Sequence, residues 1–246
     1  MAELVTRQEQ DGLCRLTLNR PDVLNALSPS MFVELRAHID DLAGRTDAIG
    51  AVILCGAGRS FSAGNDLKAI QAGDVAPTRH FQAETIDALE ALPQPVIGAI
   101  HGHCYTGSLE LALGCDLLIA AESARFSDTH GKWGMSPTWG MSQRLPRRVG
   151  VQRAKEMMFS GRIVSGPEAV ELGLVLECVP DAELLSRAEA LARSFLEQSW
   201  FTLRADKMLV NAGLDHAGRA GLIFERDNSP GRGPDLEQRL AAFGKK

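Results

Sequence analysis

Two short segments, Ser62-Ala63-Gly64-Asn65-Asp66 and Thr106-Gly107-Ser108-Leu109-Glu110, each stand where an apolar, strand-like run gives way to a helix-like one. Ala51-Val52-Ile53-Leu54-Cys55 precedes the first, and Pro95-Val96-Ile97-Gly98-Ala99-Ile100 the second. Glycine and small neighbours let a backbone approach a ligand closely, and the first turn of a helix leaves its N–H groups without intrahelical partners. The amides of Asn65 and Gly107 can therefore be aimed at one point. Two such donors converging on a carbonyl oxygen form an oxyanion hole, where removal of one donor typically costs roughly 2.7–4 kcal/mol of transition-state stabilisation. Glu110 follows Gly107 by about one helical turn, which puts its carboxylate on the same face as that amide, within reach of a water to which it can act as general base. A solvated helix glutamate is the plainer alternative, and the apolar neighbours Leu109, Leu111, Ala112 and Leu113 argue against it.

These residues need a scaffold that alternates strands with helices. Strand-like runs at Cys14–Leu18, Ala51–Cys55, Pro95–Ile100, Asp116–Ala121 and Val175–Val179 are separated by helical patterns, which predicts an α/β architecture. After Ser28, a helix cap followed by Pro29, the residues Phe32, Leu35, Ile39 and Leu42 repeat at helical spacing until Gly44. From Asp181 onward the pattern is helical only. Leu184, Leu185, Ala188, Leu191, Ala192 and Phe195 share one face, further helices are expected near Leu203–Val210 and Gly218–Arg226, and Gly231-Arg232-Gly233-Pro234 marks a joint.

The chain has 246 residues and can bury roughly three quarters of its unfolded surface without an outside staple. With 31 acidic against 26 basic residues and a net charge of −5, it has no basic field to gather phosphate backbones or anionic lipid, which disfavours nucleic acid and membrane partners. No apolar stretch reaches the ~18 residues of a membrane span, and no basic-then-apolar signal segment opens the sequence, so a soluble, cytoplasmic protein is expected. Cys14, Cys55, Cys104, Cys115 and Cys178 are odd in number and widely spaced, fitting buried thiols of a reducing compartment. His101-Gly102-His103 lacks a third ligand at metal spacing, so no metal site is expected.

Taken in order, the two opening segments resemble the crotonase (enoyl-CoA hydratase/isomerase) family. So do Asn19-Arg20-Pro21 with Asn25-Ala26-Leu27, Gly114-Cys115-Asp116, Gln143-Arg144-Leu145, and Ala169 with Glu171-Leu172-Gly173-Leu174-Val175, a match running from about residue 5 to about residue 210. The resemblance implies a crotonase (ClpP-like) spiral of ββα units over residues 1–190 and a C-terminal helical trimerisation region over 191–246. It implies a homotrimer or a dimer of trimers, acyl-CoA thioester substrates, and no tightly bound cofactor beyond the coenzyme A that the substrate carries. Asn65 and Gly107 would then hold a thioester oxyanion, and Glu110 would be one of the family's two hydratase glutamates. Where the second glutamate usually stands, the run Phe126-Ser127-Asp128-Thr129-His130-Gly131-Lys132-Trp133-Gly134 offers His130. Imidazole can give or take a proton near neutral pH, or serve only as a hydrogen-bonding group. Asp128 is the reserve candidate, expected on the side opposite His130 if this stretch is extended. Backbone groups at Ala26, Ala63 and Asn65 would recognise coenzyme A, with Arg59, Lys68 and Lys207 as candidates for its phosphates. Asp128 and Trp133 are further candidate substrate contacts, and Trp133, Met135 and Trp139 could line an acyl pocket or belong to the core.

Because the glutamate that is kept is the one associated with water, hydration of a 2-enoyl-CoA is expected ahead of double-bond migration. A crotonase-fold thioester or β-diketone hydrolase, and a catalytically silent acyl-CoA-binding scaffold, are the competing readings. A dinucleotide site fits less well. Gly56-Ala57-Gly58 begins the required turn, yet Phe61 occupies a position that needs a small residue, and no acidic strand end follows. The absence of any G-x-S-x-G elbow disfavours a serine hydrolase of the α/β type.

Overall fold

The computed structural model describes residues 3–216 and 218–243. Two strands open it: β1 (Val5–Gln10) and β2 (Leu13–Leu18) pair antiparallel across Asp11-Gly12, both at positive φ (49° and 82°), as a tight hairpin turn requires. The first helix, α1 (Pro29–Ala43), forms as its local signals predict. The Ser28 side chain accepts from the Met31 amide at 3.2 Å, Pro29 occupies the first turn, and Phe32, Leu35, Ile39 and Leu42 are buried.

There follow β3 (Ala51–Gly56), α2 (Leu67–Gln71), α3 (Phe81–Glu90), β4 (Val96–Ile100), β5 (His103–Tyr105), α4 (Gly107–Leu113), β6 (Leu117–Ala121) and β7 (Arg125–Ser127). Next come α5 (Met141–Val149), α6 (Val151–Ser160), β8 (Val164–Ser165), α7 (Gly166–Glu171) and β9 (Glu177–Val179). The larger sheet has strand order β1-β2-β3-β4-β6-β9, parallel from β2 onward, and the smaller has order β5-β7-β8. Strands of a parallel sheet covered on both faces are apolar on both. Val52 and Leu54 accordingly join the core formed with α1, α3 and α4, while Ile53 and Cys55 face the second cluster with Leu184, Ala188 and Ala192.

Each turn of the chain lays one strand in the large sheet and one in the small sheet before a helix, as in β4-β5-α4 and β6-β7-α5. Successive turns stack in parallel, with Ile97 opposite Leu117 in one sheet and Tyr105 opposite Ser127 in the other. The preceding turn is completed by single bridges, Ser62 to Cys104 and Leu27 to Asn65. This stacking brings the segments that leave the small sheet side by side.

The C-terminal part comprises α8 (Leu184–Leu196), α9 (Trp200–Gly213), α10 (Arg219–Asn228) and α11 (Leu236–Phe243). Residue 190 lies inside α8, and Ala188 and Ala192 on either side of it are both buried in the cluster on the outer sheet face. Leu185, expected on the buried face of that helix, is 41 % exposed. Among the described residues, no helix is long and apolar enough to cross a membrane.

Candidate active site

The loop that opens the site is set by residues of the sequence motif whose purpose is backbone shape. Leu24 and Asn25 both adopt positive φ (54° and 52°), an uncommon conformation that the fully buried Asn25 side chain helps to fix. Its Oδ1 accepts from the Arg20 amide at 2.8 Å, and its Nδ2 donates to the carbonyls of Ala57 and Ser60, each at 2.8 Å. Arg20 in turn donates to Asp66 Oδ2 (2.7 Å) and to the Ala26 carbonyl (2.6 Å). Asp66 caps α2 by accepting from the Ala69 amide at 2.9 Å. Burial alone would raise the Asp66 carboxyl, but the Ala69 hydrogen bond and the Arg20 guanidinium outweigh it and hold it below the usual range. The Ala63 amide donates to the Leu24 carbonyl at 2.9 Å, and Leu27 accepts from the Asp66 amide at 3.0 Å. Asn65 is thus fixed from both sides.

The Asn65 and Gly107 amides donate to no protein acceptor among the described residues. Gly64, at φ +103°, passes so close to the second segment that a β-carbon there would lie 2.7 Å from the Tyr105 carbonyl oxygen and 3.9 Å from the Gly107 nitrogen. The two glycine-bearing turns therefore meet. Gly107 is equally confined: a β-carbon would lie 2.5 Å from Trp139 Cζ3, so the indole ring rests on this glycine while packing edge-on against Phe32 at 5.2 Å between centroids.

Glu110 is 1 % exposed. Its Oε1 accepts from the Trp139 amide at 2.9 Å and the Met141 amide at 3.2 Å, and its Oε2 lies 3.8 Å from His130 Nε2. Burial raises the carboxyl above its ordinary 4.5, although the two amides and the charge of His130 pull the other way. His130 is 9 % exposed at the head of a 3-10 turn (His130–Trp133). Asp128 is not on the opposite side. Thr129, at φ −102° and ψ 11°, breaks the extended run, and Asp128 Oδ1 accepts from both the His130 amide (3.0 Å) and His130 Nδ1 (2.6 Å). Burial lowers the basicity of the ring, but the Asp128 hydrogen bond and charge, with Glu110 beyond, raise it above 6.5 overall. An Nδ1–H donated to Asp128 leaves Nε2 facing Glu110. The result is a row of three groups, Asp128, His130 and Glu110, beside the Gly107 amide.

Other candidate residues are placed differently. Trp133 is 67 % exposed, and the tryptophan built into the site is Trp139. Lys207 donates to Asp116 Oδ2 at 2.7 Å and to the Gln94 carbonyl at 3.0 Å, with its side chain only 8 % exposed, so it ties α9 to the sheet instead of reaching for phosphate. Arg59 and Lys68 are exposed. His101 Nε2 pairs with the Gly58 carbonyl and His103 Nδ1 with Ser60 Oγ, each at 2.9 Å. At Gly56 the Gly56-Ala57-Gly58 turn packs tightly on its own chain, since a β-carbon there would lie 2.5 Å from the Phe61 oxygen. Sequence reasoning did not single out Thr106, whose positive φ of 53° belongs to a β-branched residue and marks a strained backbone costing ~1–3 kcal/mol.

Residues 8–231 match the family model described as enoyl-CoA hydratase/isomerase. A probable peroxisomal enoyl-CoA hydratase of Arabidopsis thaliana is 34% identical over 223 residues, covering 91% of this chain and 84% of its own. The 1,2-epoxyphenylacetyl-CoA isomerase of Escherichia coli K12 is 33% identical over 99% of this chain and 96% of its own. Among solved structures, the enoyl-CoA hydratase of Bacillus anthracis superposes with a TM-score of 0.92 at 34% identity, covering 98% of this chain and 96% of that one. With this agreement in sequence and fold across nearly its whole length, the chain belongs to the enoyl-CoA hydratase/isomerase (crotonase) family.

Proposed function

We propose that this enzyme adds water across the double bond of a 2-enoyl-CoA to give a 3-hydroxyacyl-CoA, or runs the same step in reverse. The observation that carries this reading is the buried Glu110 carboxylate, fixed by two backbone amides and lying 3.8 Å from an imidazole that Asp128 orients. In the forward direction Glu110 takes a proton from water as its oxygen bonds to the β-carbon. The double-bond electron pair moves toward the thioester carbonyl, where the Asn65 and Gly107 amides stabilise the developing oxyanion. The electron pair then returns to take a proton at the α-carbon from His130 Nε2. Glu110 is left protonated and His130 neutral, and their proximity allows the proton to pass between them and reset the pair. Coenzyme A would be held along Ala26 and Ala63. The Ala26 carbonyl keeps one free lone pair beside its bond to Arg20, and the Ala63 amide is already used.

Double-bond migration is the second reading, favoured by the likeness to a monofunctional enoyl-CoA isomerase of M. smegmatis, 34% identical with a TM-score of 0.78 over 89% of this chain and 98% of that one. One experiment separates the possibilities: enoyl-CoA esters of several chain lengths are incubated with the enzyme and weighed by mass spectrometry. Hydration adds the mass of water, migration leaves the mass unchanged but alters the chromatographic retention of the ester, hydrolysis releases free coenzyme A, and a silent scaffold binds the ester and returns it with mass and retention unaltered. Glu110→Gln is expected to keep thioester binding and to slow hydration at least ~100-fold. Near-native turnover of that variant would remove Glu110 from the mechanism.

Assembly as a homotrimer or a dimer of trimers through the C-terminal helices is part of the same proposal. It is supported by apolar side chains exposed on α9, α10 and α11, among them Val210, Leu222, Ile223 and Leu240. Sedimentation of the purified protein tests it. A cytoplasmic location is consistent with five free thiols, four of them buried.

A further inference from the structure

The residue before Gly107 holds a conformation that its side chain should avoid. Thr106 sits at φ 53° and ψ −108°, which glycine adopts freely and a β-branched residue does not. Such a backbone persists only where its surroundings over-determine it. Three hydrogen bonds do so here. The Thr106 amide donates to the Ser127 carbonyl at 2.8 Å, the Thr129 amide donates to Thr106 Oγ1 at 3.0 Å, and the two threonine hydroxyls lie 2.5 Å apart. All three tie the residue preceding the Gly107 amide to the strand end and turn that carry Asp128 and His130.

We propose that Thr106 is a positioning residue, and that its hydroxyl clasp with Thr129 sets the aim of the Gly107 amide relative to His130. This rests on the assignment of that amide as an oxyanion donor. Strand pairing alone fixes β5 against β7 as far as Tyr105 and Ser127. Beyond that point the two chains diverge into a helix and a 3-10 turn, and the clasp is the side-chain link that keeps donor and acid in register. A bound acyl oxygen and its α-carbon are both bonded to the one carbonyl carbon, so the groups that act on them must be held at a fixed separation. An error of about 1 Å in such a position can cost ~100-fold in rate.

The test compares Thr106→Gly, Thr106→Ser and Thr129→Ala with the parent enzyme, following kcat, KM, Tm and the carbonyl 13C shift of bound [1-13C]butyryl-CoA, a saturated thioester with no double bond to hydrate. Thr106→Gly relieves the strained backbone as it removes the hydroxyl, so Tm should stay near that of the parent. Its kcat should fall about 10- to 100-fold with KM little changed, and the carbonyl signal should move back toward its position in free solution. Thr129→Ala should act in the same direction. Thr106→Ser should restore both rate and shift. The clasp is overturned if Thr106→Gly polarises the carbonyl and turns over like the parent, if serine fails to rescue, or if every loss of rate merely follows a loss of Tm. A parent complex whose carbonyl is unshifted overturns the oxyanion assignment itself and the clasp with it, whereas a shifted parent with unaffected variants overturns the clasp alone.

Discussion

His130 illustrates how a single side chain acquires its chemistry from two neighbours. Burial by itself favours the neutral ring, but the carboxylates of Asp128 and Glu110 favour the cation, and they prevail. The folded ring therefore holds its proton above pH 6.5, and the stabilisation this brings is complete below that pH and lost as pH rises through the folded value. Glu110, raised above 4.5 by its burial, reaches its charged form later than a free glutamate does. The proposed hydration would need Glu110 ionised and His130 protonated, and its rate is then expected to rise along an acid limb set by the first group and fall along an alkaline limb set by the second. Asp128→Asn removes the charge that offsets burial, so the alkaline limb should move to lower pH with little change in the acid limb. A pH–kcat/KM profile that is unmoved would assign the proton step elsewhere.

At the scale of elements, short-range signals and long-range placement contribute differently. Ser28 with Pro29 starts α1 by local chemistry alone, a cap oxygen for the Met31 amide and a preset φ for the first turn. Ser28→Ala should cost about 1 kcal/mol in urea denaturation, with the slope of the transition unchanged. The hydrophobic runs of β3, β4 and β6 were readable because parallel strands covered on both faces must be apolar throughout, whereas β2 alternates through Arg15 and Thr17 and the edge strand β9 is only half-buried. β5, β7 and β8, two or three residues each, carry no period to read. They exist because neighbouring turns of the spiral supply their partners. The Asp128–His130 contact differs from the expectation for a related reason: alternation of side chains holds in a strand, and β7 ends at Ser127, with Thr129 no longer extended.

Across the whole molecule, the spiral is closed by contacts between segments distant in sequence. Asp116 at the head of β6 accepts from the Val96 amide and from Lys207 of α9, each at 2.7 Å, joining two strands and a C-terminal helix at one carboxylate. Its burial raises the carboxyl above 3.8, so the charged form depends on that lysine. Lys207→Met should lower stability by up to ~3 kcal/mol, as loss of one partner of a buried pair does, and leave KM for an acyl-CoA unchanged. A raised KM with unaltered stability would return Lys207 to the substrate.

The sequence by itself determined the class of architecture, several core strands and the first helix, through periodicity and capping. It offered Asn65, Gly107 and Glu110 as candidates through close backbone approach and helical spacing, whereas His130 came from the resemblance to the crotonase family. Tertiary structure alone decided their mutual geometry: the indole of Trp139 over Gly107, the two amides that fix Glu110, and the approach of His130 to Glu110. Hydrogen bonds and van der Waals contacts act over a few ångströms, and stacking of successive chain turns is what brings residues some 20 to 45 positions apart within that range.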